Sequence, residues 1–205
     1  MACLVLINPR VDPNKNLASN LMITRHCLLA LLLFSAIARA ETWNGSAKIT
    51  FDGTSTLHDW GGKVSAEPFK ADVTMNGDKP QRVVSTVTVK AAGMDTAEAK
   101  RDENMRKAMK ITDHPLITGK IDADFNQIAA SGTPTKLPLA LTLLGKPQNI
   151  TGTISNWQLK GDKASFDLEF PVSMKASGIS VPAVLLFIRV GDDITVRAHV
   201  TLTKP

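Results

Sequence analysis

The amino-acid sequence predicts an all-β fold with one short amphipathic helix, arranged as an eight-stranded antiparallel β-barrel. Three observations lead there. Apolar and polar residues alternate with period two in segment after segment, as in strands that bury one face. The period turns helical once, between Asp95 and Ile111. The alternation is even from first strand to last, which favours a closed barrel over a sandwich because closure removes exposed strand edges.

The N-terminal region reads as an export signal. Met22 to His26 is a short basic segment, Cys27 to Ile37 is an apolar run, and Ala38-Arg39-Ala40 is an A-x-A cleavage site. The run is well short of the roughly 20 apolar residues that a membrane-spanning helix requires. Residues 1–21 are expected to be an upstream over-extension of the start, 22–40 a signal peptide, and 41–205 a single β-barrel domain. A periplasmic or secreted location follows from cleavage after Ala40. Cys27 precedes the apolar run, whereas a lipidated cysteine would follow it.

The strands then come in order. Ala47, Ile49 and Phe51 begin the series, and Phe69, Ala71, Val73 and Met75 alternate with Lys70, Asp72 and Thr74. Asn76-Gly77-Asp78 supplies hairpin-turn chemistry before a β-branched run from Val83 to Lys90. Asp95, with Glu98 three residues on, resembles a helix N-cap and capping box; Met105, Ala108, Met109 and Ile111 then share one face. His114-Pro115 ends the helix. Ile121, Ala123 and Phe125 form the next inward set, followed by Leu137 to Leu144 and Ile150 to Leu159, joined around Gly145-Lys146-Pro147. Phe166, Leu168, Phe170, Val172 and Met174 alternate in the next strand, and Ile194, Val196, Ala198, Val200 and Leu202 in the last.

Composition narrows the function. Both cysteines, Cys3 and Cys27, lie upstream of the cleavage site, so the barrel itself can form no disulfide. Part of the formal +5 charge also sits in the leader, on Arg10, Lys15, Arg25 and Arg39, which leaves no case for nucleic-acid binding. His58, His114 and His199 lack the close spacing of metal-binding motifs, so no metal site is expected. His58-Asp59 beside Ser55 contains the ingredients of a nucleophile and base. Strand neighbours point to opposite faces, however, so a local hydrogen-bonding role is favoured and no catalytic residue is assigned.

The segment Phe51-Asp52-Gly53-Thr54-Ser55-Thr56-Leu57-His58-Asp59-Trp60-Gly61-Gly62 resembles the opening signature of the YceI-like family. Further similarities follow in order: Met94-Asp95-Thr96 leading into Arg101 to Arg106, then His114 to Ile117, Leu141 to Lys146, Ser177 to Ile179 and Val190 to Ile194. The resemblance implies an extended, lipocalin-like barrel in a periplasmic or secreted protein without known catalysis. It also implies a long pocket for an amphiphile such as a polyisoprenoid, quinone-like or fatty-acyl molecule. Two departures stand out: Lys146-Pro147 replaces a Val-Thr-type pair, and Val181 to Ile188 is unusually apolar for a connection.

Under the alternation, Phe51, Val73, Val87, Phe125, Leu141, Phe166 and Phe170 face inward as candidate ligand contacts. Met105 and Met109 are candidates for a helix-covered mouth, and Trp60 for one end of the pocket. For each of them, simple core packing is an equal alternative. With three tryptophans and no tyrosine, much of the interior falls to aliphatic or small residues. Val181 to Ile188 reads as a lid, as a site of transient membrane contact, or as a buried connection. Lys100, Arg101, Arg106 and Lys107 suit either an anionic head group or a solvated helix face. The expectation is a monomeric or homodimeric carrier of a lipid or isoprenoid, without cofactor. Its rivals are a filled barrel acting as an envelope interaction or stress-protective protein and, more remotely, an enzyme using His58 or His114.

Overall fold

A computed structural model describes residues 38–180 and 190–205. The elements in chain order are β1 (Ala38–Ser55), β2 (Trp60–Ser65), β3 (Phe69–Asn76), β4 (Lys79–Lys90), α1 (Ala99–Ala108) and β5 (Leu116–Asp124). They continue with a helical turn α2 (Phe125–Ile128), β6 (Ala129–Ala130), β7 (Thr133–Pro134), β8 (Lys136–Leu143), β9 (Lys146–Lys160), β10 (Lys163–Ser173) and β11 (Val190–Thr203).

Eight of these strands close into an antiparallel barrel. The order is β11-β10-β9-β8-β5-β4-β3-β1, and β1 pairs back onto β11 from Asn44↔Thr203 to Ser55↔Val190. β2 adds no new stave. It pairs with β1 over Lys48 to Gly53, continuing the line that β3 occupies over Ala38 to Gly45. β6 and β7 form a separate small hairpin.

The expected alternation is realised most fully in β10, where Ala164, Phe166, Leu168, Phe170 and Val172 are all buried. One core cluster, containing Phe51, Met109, Leu141, Phe166 and Phe170, lines the middle of the barrel and the end under α1. A second, containing Trp43, Ala71, Val73, Met75, Ala164 and Leu202, occupies the other end. Val83, Trp157 and Val200 pack against both. The hairpin at Asn76-Gly77-Asp78 is present, with Gly77 at φ +58°. The β8–β9 turn is tighter than expected: Leu144 and Gly145, at φ +46° and +73°, make the reversal, and Lys146 and Pro147 already belong to β9.

Four expectations need correction. The helix is shorter than Asp95 to Ile111, and its cap is Glu98, whose carboxylate accepts the Lys100 and Arg101 N–H groups at 3.1 and 2.6 Å. Asp95 cannot cap it, because its backbone exchanges hydrogen bonds with Lys63 and its carboxylate accepts the Ala97 N–H. Phe125 lies in α2 rather than in β5, where Asp124 caps the turn by accepting the Asn126 N–H. β1 begins nine residues before Ala47, so Trp43 is part of the buried face. Finally, Asn156 adopts φ +53° where the β9–β10 register shifts, and this bulge turns Trp157 inward. Of the leader expected over residues 1–40, residues 1–37 lie outside the described residues, as does the apolar run Val181 to Ile188, while Ala38 to Ala40 open β1 opposite Asn76 to Thr74.

Candidate functional site: the barrel lumen

The side chains do not fill the barrel. A cavity of about 780 Å³ runs through it, within the roughly 300–1,000 Å³ of ordinary ligand pockets. Its walls are the inward faces of the closing strands. They are overwhelmingly apolar because every second residue of each strand is Val, Ile, Leu, Phe, Ala or Met.

All ten residues singled out from the sequence line this one cavity: Phe51, Trp60, Val73, Val87, Met105, Met109, Phe125, Leu141, Phe166 and Phe170. Trp43, Trp157 and Met94 line it too, although the pattern did not single them out. Trp43 continues the parity of Ala47 and Phe51 and was legible in principle. The position of Trp157 depends on the Asn156 bulge and was not.

Glycines let the large rings lie flat against the barrel wall. Gly53 faces Trp60, Gly62 faces Phe51 and Gly45 faces Phe69 as cross-strand partners. A Cβ on Gly53 would come within 2.4 Å of the Trp60 ring, and one on Gly62 within 2.3 Å of the Phe51 ring. The Phe51 and Trp60 rings meet edge to face, 6.5 Å between centroids. Towards the other end Trp157 lies between Phe125 and Phe166, at 6.0 and 5.7 Å.

The two ends of the lumen differ. At the α1 end the lining includes exposed residues, Leu57, His58, Glu98 and Lys100, so the cavity meets solvent there. Leu57 is 69% exposed. Ile179 and Val190, on either side of the undescribed segment, line this end as well. The opposite end stops on Trp43, Met75, Ala164 and Leu202, with Leu159 bordering solvent. Glu41 shares the inward parity of Trp43 and pairs with Lys204 at 3.0 Å. That ammonium, more than any other neighbour, holds the Glu41 carboxyl below its ordinary pKa.

A buried carboxylate anchors α1. Asp102, 8% exposed, accepts hydrogen bonds from the Thr96 hydroxyl at 2.7 Å and the Thr96 N–H at 2.9 Å. Those two bonds lower its pKa below the usual value, the hydroxyl bond contributing most. With Asp102 pinned to the turn before it, the helix presents Met105 and Met109 to the lumen. On the outer face Glu103 is shared between Lys107 and Lys100, which bring its pKa down to about 2.

The candidate catalytic and metal-binding side chains are otherwise engaged or apart. Ser55 Oγ donates to the His58 carbonyl at 2.6 Å and accepts the His58 N–H at 3.2 Å, which is turn geometry rather than nucleophile activation. His199 faces outward with Nδ1 2.6 Å from Asp167. The His114 ring lies against Gly145. No group of three or more His, Cys, Asp or Glu side chains is placed to hold a metal among the described residues.

Comparison with known proteins bears on this geometry in three ways. The YceI-like domain family matches residues 42–202. No curated protein sequence matches. Among solved structures, a polyisoprenoid binding domain from Saccharophagus degradans, implicated in plant cell wall breakdown, superimposes with a TM-score of 0.60 at 11% identity, covering 82% of this chain and 100% of that one. BcnA of Burkholderia cenocepacia gives 0.56 at 16% identity, over 76% and 95% of the two chains. The Campylobacter jejuni YCEI protein gives 0.51 at 17% identity, over 70% and 84%. At these identities the likeness is one of fold.

Proposed function

This chain belongs to the YceI-like domain family, and from that premise we propose that it binds and sequesters a single lipid or isoprenoid molecule in its lumen. The observation that carries the reading is the continuous apolar cavity of about 780 Å³ that meets solvent beside α1. The polyisoprenoid binding assigned to the Saccharophagus degradans domain of the same fold supports it. Burial of apolar surface supplies the affinity: a chain burying roughly 300 Å² gains about 7 kcal/mol before ordering costs. The polyisoprenoid, quinone-like and fatty-acyl classes all meet that requirement. Catalysis has no part in this account.

The protein acts after export to the periplasm or cell exterior, following removal of residues 22–40 behind the A-x-A site at Ala38-Arg39-Ala40. Cargo is exchanged with a membrane by transient contact at the α1 end. Leu57 stands exposed on that rim, and the apolar run Val181 to Ile188 connects residues that line it.

Native mass spectrometry of protein purified gently from its own host, followed by solvent extraction, tests the proposal. A stoichiometric lipid or isoprenoid is the expected result. A clean apo mass in a protein that also takes up no added prenyl or acyl compound refutes the carrier and supports an interaction protein built on the same barrel.

A further inference from the structure

Methionine is unevenly placed along the lumen. Among the described residues five methionines line it. Four of them, Met94, Met105, Met109 and Met174, belong to the cluster that lines the middle and the α1 end, whereas Met75 belongs to the cluster at the opposite end. They reach the α1 end from separate parts of the chain. Met105 and Met109 come from α1 and its last turn, with the Met109 N–H donating to the Met105 carbonyl at 2.9 Å. Met94 precedes Asp95, whose backbone is bound to Lys63 of β2, and Met174 follows β10, its carbonyl accepting the Ile179 N–H at 2.9 Å.

Exposure divides them further. Met94 and Met105 are half-buried at the end where the cavity meets solvent, while Met75, Met109 and Met174 are buried. A thioether is apolar and flexible, which suits a wall that packs against hydrocarbon, but a peroxide or hypohalous acid converts it to a polar sulfoxide. The sulfur gains one oxygen and gives up two electrons; hydrogen peroxide is reduced to water, or hypochlorous acid to chloride with release of a proton. No bond to carbon breaks, and two thiols return the sulfoxide to the thioether by forming a disulfide and water. A hydrocarbon filling the lumen would strip a sulfoxide oxygen of its water, so cargo and sulfoxide oppose each other. The Thr96–Asp102 hydrogen bonds that hold α1 involve no methionine, so the helix keeps its anchor when the thioethers change.

We propose that Met94 and Met105 form an oxidation site at the mouth of the lumen, and that their conversion to sulfoxide by a peroxide or hypohalous acid releases apolar cargo from a barrel that stays folded. This rests on the carrier reading and adds a control to it. Met75 supplies the comparison within the same molecule, since it lines the same cavity but is buried at the opposite end.

The test treats the purified protein with hydrogen peroxide or hypochlorous acid, quenches the oxidant with free methionine, locates sulfoxides by peptide mass spectrometry and then measures binding of dansyl undecanoate and of geranylgeraniol. Met94 and Met105 are expected to oxidise ahead of Met75, and affinity for at least one probe to fall about tenfold or more while the thermal midpoint of the empty protein holds. Methionine sulfoxide reductases A and B with dithiothreitol should restore the affinity. A variant carrying Met94→Leu and Met105→Leu, a volume-conserving change, should bind within about twofold of the wild type before treatment and keep that affinity after it. Resistance of the pair to oxidation, sulfoxide at both with unchanged affinity, a loss that persists in the double variant, equally fast oxidation of Met75, or a loss that accompanies unfolding each overturns the switch and leaves the carrier intact. Failure of the untreated protein to bind either probe overturns the carrier and this inference together.

Discussion

Ala198 sits in the middle of β11 with its side chain on the lumen, paired with Ile49 of β1 on one side and Leu168 of β10 on the other. Ala198→Phe therefore separates an open lumen from a filled one. In a packed core the added ring would force neighbours off their rotamers at a cost of about 1–3 kcal/mol. Here the ring extends into existing space, so the expected loss of stability is below about 1 kcal/mol. Binding responds in the opposite way. A phenyl ring in the path of a hydrocarbon chain removes on the order of 150 Å² of apolar contact, about 4 kcal/mol or nearly three decades in Kd if the chain cannot shift. Because a flexible chain refits in part, the expected weakening is at least about tenfold. Urea denaturation and displacement of a fluorescent fatty-acid or prenyl probe measure the two quantities on one sample. A variant destabilised by about 3 kcal/mol would show that the lumen is filled, and unchanged probe affinity in a stable variant would show that cargo binds elsewhere.

Gly53→Ala should lower stability by about 1–3 kcal/mol, because its Cβ meets the Trp60 ring at 2.4 Å and Ile194 Cδ1 at 2.8 Å. Gly77→Ala has open space and bears only the left-handed backbone penalty of about 1 kcal/mol, so equal urea midpoints for the two would contradict the ring-on-glycine packing. Asp102→Asn should destabilise at pH 7, with the gap to wild type closing as pH falls: a carboxylate whose folded pKa is depressed contributes stability above its unfolded value of roughly 3.9 and loses it as pH drops through the folded pKa. A gap that is constant from pH 7 to pH 2 in denaturant titrations would rule out that linkage. Exported protein should begin at Glu41 by intact mass, and Ala38→Asp should block processing; a mature form retaining residues 22–40 would refute the cleavage site. Leu57→Asp should slow cargo transfer from vesicles without changing the unfolding midpoint, since the side chain is 69% exposed; an unaltered transfer rate would remove this rim from the loading path.

The alternation along β10 and β11 needs no tertiary information, because a strand with one buried face must repeat every two residues, and Phe166 to Met174 and Ile194 to Leu202 do so without interruption. For the same reason nine of the ten candidate wall residues could be named from parity and helix spacing, Trp60 coming instead from the family-like opening motif, and all ten share one lumen. Parity fails wherever the backbone gains a residue. Asn156 at φ +53° rotates Trp157 onto the inner face, and no local pattern announces that bulge. β2 was equally hidden, since Gly61 and Gly62 have no side chains to alternate and earn their place only as seats for Phe51 and an edge against Asp52.

Local chemistry proposed Asp95 as the helix cap, but long-range pairing with Lys63 had already used its backbone, and Glu98 took the role. Whether inward residues meet or leave a gap was beyond any one strand, because eight inner faces jointly determine the volume between them. Asp102 and Arg101 show the same division. Adjacent in sequence and both charged, they part company only in three dimensions, where one is buried against Thr96 and the other is left beside the open lumen. The sequence by itself determined most of the strands and their inward faces, because these depend on neighbours along the chain. Closure and the open lumen came from tertiary structure alone, because they depend on which distant surfaces face one another.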